Sequence, residues 1–567
     1  MRYGKITVCL FTLLFAAVAV VLWAFEPQTE TMPINLILSS GGKEETITCW
    51  GNEAGEYFLF LPSYGDLASA EFRADAGEVI LDGRAVTDGM SCGDLVLDTP
   101  YSFSFDTAKG RVSTVLTVTR SKNLPTMYID TGSGSMDYIH GKKGNREAGR
   151  MRLYTQAGEL AYMGNLDAMN GRGNDWLIPK KSYSLRLASG ADLLGMGRAE
   201  KWILQSNAVD ASHLRNKMVY DFADAMGLAY SPESQWVDLY LNGEYAGLYL
   251  LCERNELHEQ RIALEGEETY LVSMDIAWRM EKNGRSFVTT DSGYAFRIHD
   301  SLQSEQTLRQ LLQSVENAIS AEDGRDPVTG KHWTELIDLD SWARKYLVEE
   351  IFGNSDGGAI SQYFYGNSIS GKMYAGPVWD YDISMGNARS SGGSGPRSIF
   401  ASRPRVLSNI SLSWYYELYR QEAFYERMVQ LYQEECIPLL DRLLNEQLEI
   451  YCAQIAEAAG MNRMRWNMPD ALEETGHICR FMEERVAFLN QLWLENQTYY
   501  TVLIVPDASR NTICHAVRPG ERISALPDYE PSRDVLGWYD AATEQPFDIT
   551  QPIYEDTVVY LKQLSET

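Results

Sequence analysis

The spacing of apolar positions changes along this chain, and the changes divide it. From about residue 34 to 125, apolar residues fall in short runs, among them Ile34–Leu38, Tyr57–Leu61, Glu78–Leu81 and Ser113–Thr119. Gly and Asp turn signals separate the runs at intervals of about ten residues, the spacing of a small β-sandwich. From Leu124 to about Arg261 the pattern is mixed. Met127–Asp130, Arg150–Thr155 and Ser182–Leu187 read as strands. Ser212–Met226 reads as a helix with Ser212 as its cap and Gly227 as its stop. Gln235–Tyr240 and Tyr245–Leu251 form a hairpin across Asn242-Gly243, because both turn residues accept positive φ.

Beyond Ser301 the period becomes helical, in Gln303–Ser320, Asp338–Phe352, Ser413–Cys436, Leu439–Ala459 and Asp470–Asn496. One strand pair, Gln362–Tyr365 and Met373–Trp379, interrupts the helices. The last seventy or so residues return to strands, such as Tyr500–Val505 and Asp556–Leu561. The pattern predicts an α+β protein with four parts: 1–28, 32–123, 124–499 and 500–567. The first is a membrane anchor or signal segment, the second a β-sandwich-like accessory domain, and the third the main domain, mixed at first and helical later. The last is a small β domain.

The segment 1–28 rests on Ile6–Phe25, an uncharged run that follows Arg2 and Lys5. Its length suits a bilayer core of roughly 30 Å, and no small-x-small cleavage site follows. The basic flank keeps the N-terminus inside and sends the bulk of the chain outside. A cleaved signal that leaves a secreted protein is the alternative. The net charge of −28 argues against nucleic acid, whose phosphates need clustered Lys and Arg. No C-x-x-C pair is present, and seven histidines are too few for a convincing zinc site. Cys49 and Cys92 share the strand-rich segment, where they either bridge or stay as buried thiols.

Candidate chemistry concentrates in Tyr346–Asp382. Asp356 follows a helix, precedes a strand and is flanked by Gly357 and Gly358. By itself it also fits a turn. Asp380 and Asp382 close the predicted Met373–Trp379 strand. In a strand, residues i and i+2 face the same way, so both carboxylates would point together and suit Mg²⁺ or Ca²⁺. Upstream, Lys180 and Lys181 enter a strand after Gly171-Arg172-Gly173-Asn174, and a Lys there can reach a phosphate. Glu253, at the end of the hairpin, is its candidate partner. Lys, Glu, loop Asp and metal-binding Asp come in the order used by protein kinases. The kinase signatures G-x-G-x-x-G-x-V, H-R-D and D-F-G are missing. Paired carboxylates alone would also suit a hydrolase.

Several motifs taken together resemble the spore coat protein H (CotH) kinase family. They are Arg172-Gly173-Asn174, Pro179-Lys180-Lys181-Ser182-Tyr183, Trp202-Ile203-Leu204 with Asn207 and Asp210, Leu214-Arg215-Asn216-Lys217, Leu241-Asn242-Gly243 through Tyr249 with Glu253, Asn354-Ser355-Asp356, and Trp379-Asp380-Tyr381-Asp382 with Gly386. The resemblance covers about residues 125 to 440. It implies an atypical protein-kinase-like domain, secreted or spore-associated, that phosphorylates Ser of coat or surface proteins with ATP and Mg²⁺ or Mn²⁺. It implies Asp356 as the catalytic Asp and Lys181 as the nucleotide-binding and catalytic Lys. Glu253 and Arg172 would act at the nucleotide, and Asp380 with Asp382 at the metal. Ser361 stands where better-known members carry an Asn for the second metal, and a Ser hydroxyl is the weaker ligand. A membrane-anchored, catalytically weak scaffold or adhesin is the alternative. The tail, with Gly537-Trp538-Tyr539 and Pro552 through Tyr560, is similar to the Listeria–Bacteroides type β-grasp repeat of bacterial surface proteins.

Overall fold

The computed structural model describes residues 34–563, apart from 41–42, 75–77, 108–109, 174, 276–279, 281–285, 388–394, 404–412, 507–511 and 530–534. The hydrophobic segment Ile6–Phe25 lies outside the described residues. Among the described residues no helix is long and apolar enough to cross a membrane. The chain is mixed α+β, with its helices concentrated in the C-terminal part. The described residues form two compact units, one within 1–213, 233–254 and 448–474, the other within 214–232, 255–447 and 475–567.

The first unit opens with two sheets. Lys43–Thr48, Ile34–Ser40 and Ala70–Ala74 form a three-stranded antiparallel sheet. A six-stranded sheet is built around Tyr57–Leu61, Gly110–Arg120 and Pro100–Thr107. Alternate residues such as Leu36, Leu38, Phe72, Leu59 and Phe103 fill one shared core. Cys49 and Cys92 lie in that core as separate buried thiols, so the bridge between them is not formed. A closed seven-stranded barrel follows. It runs through Thr126–Thr131, Arg146–Tyr154, Leu160–Arg172, Ser182–Asp192, Arg198–Gln205, Glu244–Glu253 and Ser234–Leu241. The last strand pairs in parallel with the first. The interior takes every second residue, including Leu185 and Leu187, Trp202 and Leu204, Val237 and Leu239. Burying each such side chain contributes about 1.5–3 kcal/mol. The predicted hairpin is present, with Asn242 at φ +50° and Gly243 at φ +85°. Helix Leu448–Trp466 packs on strand Glu244–Glu253: Trp466 Nε1 donates to the Ala246 carbonyl oxygen and Asn462 Oδ1 accepts from the Leu248 amide.

The second unit has a five-stranded sheet in which Tyr270–Asp275 pairs with Gln362–Gly366. Helices Glu305–Ser320, Leu339–Ile351 and Trp414–Tyr419 belong to the same unit. Trp342, Phe364 and Trp414 meet in an aromatic core, with ring centroids 4.9–5.9 Å apart. A second sheet takes Ser398–Ile399, Ile513–Val517, Tyr500–Val505, Thr557–Gln563 and Val535–Asp540 in that order. Three sequence expectations are corrected here. The predicted helix at Ser212 begins at Arg215, and the Ser212 hydroxyl donates instead to Asp210 Oδ1 at 2.5 Å. The periodic stretch Ser413–Cys436 breaks near Arg420 into Trp414–Tyr419 and Glu422–Leu431, the latter running on through a π-helical turn at Tyr432–Cys436. The predicted strand Met373–Trp379 is reduced to Tyr374–Ala375, with Met373 making an isolated parallel bridge to Ile337. Pro377, two residues on, has no N–H to extend a ladder.

Candidate functional site

In the second unit, the helix Leu339–Ile351 leads to Asp356. Asp338 caps it by accepting from the Ser341 amide at 2.9 Å. Lys345 and Glu349, one helical turn apart, are both fully buried and paired. Burial pulls the Lys345 ammonium below the ordinary lysine range, and the Glu349 charge works against that. Glu349 Oε2 accepts from Asn354 Nδ2 at 2.6 Å, and the Glu349 carbonyl oxygen accepts from the Asn354 amide at 3.1 Å. Asn354 Oδ1 in turn accepts from the Asp356 amide at 3.1 Å. A second group braces the loop from its other side. Buried Arg403 donates from Nη2 to the carbonyl oxygens of Ser355 and Gly357, at 3.0 and 3.4 Å, and from Nη1 to that of Thr512 at 2.9 Å. Burial lowers the Arg403 pKa, while the Asp356 carboxylate supports its charge.

Asp380 and Asp382 sit on a loop, not a strand end. Asp380 is exposed at φ +71°, a left-handed conformation that no extended strand contains. The i and i+2 strand argument for the two carboxylates therefore does not apply. They flank Tyr381 instead, whose side chain is fully buried. Tyr381 OH donates to Glu349 Oε1 at 2.5 Å, and the Lys345 ammonium donates to Tyr381 OH at 3.1 Å. Helix Arg215–Ala225 holds the loop's backbone. Asn216 Oδ1 accepts from the Tyr381 amide at 2.7 Å, and Arg215 Nε donates to the Ser384 carbonyl oxygen at 3.0 Å. Tyr220 stacks on Trp379 with centroids 6.0 Å apart. The Leu214-Arg215-Asn216-Lys217 motif is thus a brace for Trp379–Asp382.

The two loops lie side by side. Glu349 reaches both, and the Met385 amide donates to the Phe352 carbonyl oxygen at 2.8 Å. Among the described residues no three His, Cys, Asp or Glu side chains converge to hold a metal. Asp380 and Asp382 supply hard carboxylate oxygens, which fits an ion that keeps most of its shell as water and phosphate oxygen, as Mg²⁺ does. Ser361 is half-buried at φ +56°. Its neighbour Gln362 is 1% exposed; Nε2 donates to the Ile360 carbonyl oxygen at 2.9 Å, while Oε1 has no hydrogen-bond partner.

In the first unit, Lys180 and Lys181 differ sharply. Lys180 is buried, its ammonium donating to the Ser206 and Leu248 carbonyl oxygens at 2.7 and 2.6 Å and lying 4.8 Å from the Tyr249 ring centroid. Lys181 is half-buried, donating to the Ile178 and Trp176 carbonyl oxygens at 3.0 and 3.3 Å. His213, buried beside Lys180, has its pKa pushed well down by burial and then by the Lys180 charge, so the ring is neutral. Gly247, at φ +117°, lets the chain pass close by: a Cβ there would lie 2.5 Å from Asn462 Oδ1 and 3.2 Å from Lys180 Cε. Arg172 ends its barrel strand opposite Ser182. Glu253 pairs with Trp202, and its Oε2 accepts from the Glu233 amide at 3.1 Å.

Arg172, Lys181 and Glu253 thus belong to the first unit, and Asp356, Ser361, Asp380 and Asp382 to the second. Sequence reasoning singled out neither Glu349 nor Arg403. The signal for Glu349 is the pair Glu349-Glu350 inside the otherwise apolar run Tyr346–Phe352, where an acid needs a partner. Arg403 carries no comparable local signal. A family model described as CotH kinase protein matches residues 168–489, more than half of the chain. No curated protein matches it.

Proposed function

Because this chain belongs to the CotH kinase protein family, we propose that it is an atypical protein kinase that moves phosphate from ATP to a serine hydroxyl of a surface or spore coat protein, with Mg²⁺ or Mn²⁺. The observation that supports this most is the shared anchor of the two acidic loops. Glu349 joins the loop of Asp356 to the loop of Asp380 and Asp382, as a transfer site needs a base and an ion-binding carboxylate at fixed spacing.

On this reading the main domain is protein-kinase-like. Asp356 accepts the proton of the attacking serine hydroxyl. The serine oxygen bonds to the γ-phosphorus, the bond to the bridging oxygen breaks, and ADP leaves with that electron pair. Lys181 orients the nucleotide phosphates, and Arg172 and Glu253 also act at the nucleotide. Asp380 and Asp382 hold the divalent ion, with Ser361 as a weak further ligand. The bound ion neutralises charge on the phosphates. The protein works outside the cytoplasm, tethered by Ile6–Phe25 or released.

Ser361 favours a second reading, a membrane-anchored scaffold or adhesin with little turnover. One experiment separates the two. The purified chain, given labelled ATP with Mn²⁺ or Mg²⁺, transfers label to itself or to a coat protein, and Asp380→Ala abolishes the transfer. No transfer, together with no ATP-dependent thermal shift, leaves the scaffold.

A further inference from the structure

We infer that Glu349 is a positioning residue that sets the Asp356 loop and the Asp380–Asp382 loop at a common spacing, so that a change in one loop is felt at the other. The inference rests on the phosphoryl-transfer reading for its purpose, but its geometry stands apart from that reading. Glu349 is fully buried, and both its carboxylate oxygens are used on different loops. Oε2 takes the Asn354 amide nitrogen, whose partner atom Oδ1 takes the Asp356 backbone amide. Oε1 takes the Tyr381 hydroxyl, and Tyr381 is bonded on either side to Asp380 and Asp382. Lys345 donates to both Glu349 and Tyr381, which balances the buried charge.

The result is an unbroken path: Asp356 amide, Asn354 side chain, Glu349 carboxylate, Tyr381 hydroxyl, Asp380–Asp382 backbone. A plain structural ion pair would not need the carboxylate to divide its two oxygens between two functional loops. Nor would it place the receiving tyrosine between the two candidate ion-binding residues. The two central hydrogen bonds in the path, from Asn354 Nδ2 and from Tyr381 OH, are accepted by the Glu349 carboxylate and belong to the stronger, charge-assisted class.

Removing Glu349 itself would strand the Lys345 ammonium in the core and risk the fold. The test therefore cuts the path at its ends. Mn²⁺ affinity of the purified chain is measured by electron paramagnetic resonance for wild type, Asn354→Ala, Tyr381→Phe and the double variant, each checked for an unchanged melting profile. Asn354→Ser replaces Asn354→Ala if the latter does not fold. The expected result is that Asn354→Ala, a change in the Asp356 loop, weakens Mn²⁺ binding by about tenfold, because small misplacements of ligating groups are costly. The double variant is then no worse than the weaker single, because both cuts interrupt one path. Where transfer is observed, kcat falls by about tenfold while KM for ATP stays within about twofold.

An Mn²⁺ affinity left within about twofold by Asn354→Ala overturns the inference, as does a double variant whose losses simply multiply. A wild-type chain that binds no Mn²⁺ overturns it as well. Binding of Mn²⁺ with the predicted coupling, but neither phosphate transfer nor an ATP-dependent thermal shift in wild type, supports the inference and removes the kinase reading.

Discussion

Arg403 grips the backbone on both sides of Asp356: one guanidinium nitrogen donates to the Ser355 carbonyl oxygen at 3.0 Å and to that of Gly357 at 3.4 Å. The other terminal nitrogen is committed to Thr512. Lysine has one donor centre where arginine has a planar fork, and it cannot reach all three oxygens. Arg403→Lys is expected to leave buried carbonyl oxygens unpaired at about 1–3 kcal/mol each. Melting temperature should fall, and label transfer should fall further than the melting shift explains.

The Tyr381 amide is the second point to probe. It donates to Asn216 Oδ1 at 2.7 Å in a buried setting. Asn216→Ala should leave it without an acceptor, at a cost of about 1–3 kcal/mol. Amide hydrogen exchange across Trp379–Ser384 should quicken in this variant, while exchange in Leu339–Ile351 stays slow. Uniform acceleration in both segments would argue against a local brace.

Gly247 tests the first unit. Its φ of +117° and the 2.5 Å approach to Asn462 Oδ1 leave no room for a methyl group. Gly247→Ala should cost about 1–3 kcal/mol through strain alone, with a further loss from moving Asn462. The melting temperature in calorimetry should shift down by several degrees, and Asn462→Gly in the same background should recover part of it.

The pH dependence follows from Asp238, in the barrel strand Ser234–Leu241. Burial raises its pKa from 3.8 to about 7, against the opposing hydrogen bonds of Ser121 and Tyr245. A carboxyl with a raised folded-state pKa keeps its proton in the native state after the unfolded chain has released it. The native state then binds more protons between pH 3.8 and about 7, so stability declines as pH rises through that window. Melting of Asp238→Asn, followed from pH 4 to 8, should lack most of this decline.

Local chemistry made much of this fold legible. Asn242-Gly243 announces its hairpin because two consecutive positive φ angles suit few other pairs. The alternation in Ser182–Leu187 shows a half-buried strand, and the structure extends it to Asp192. Legibility failed where a long-range contact overrode the local pattern. Ser212 looks like a cap, but Asp210 claims its hydroxyl. Lys180 and Lys181 are equal in sequence, and only the barrel's carbonyl oxygens separate a buried lysine from a half-buried one. Asp380 and Asp382 look like a strand end, although the ladder has already stopped at Ala375. Glu349 was invisible as a hub because its partners lie both near and far along the chain, at Asn354 and Tyr381.

The last sheet borrows a strand. Ser398 and Ile399, more than a hundred residues upstream, pair with His515 and Cys514. A chain severed before Tyr500 would leave that short strand with bare N–H and C=O groups, and Arg403 with no Thr512 to hold. Chimeras that transplant the tail onto another protein, or swap it for a foreign one, would have to carry residues 395–403 with it to keep the seam closed.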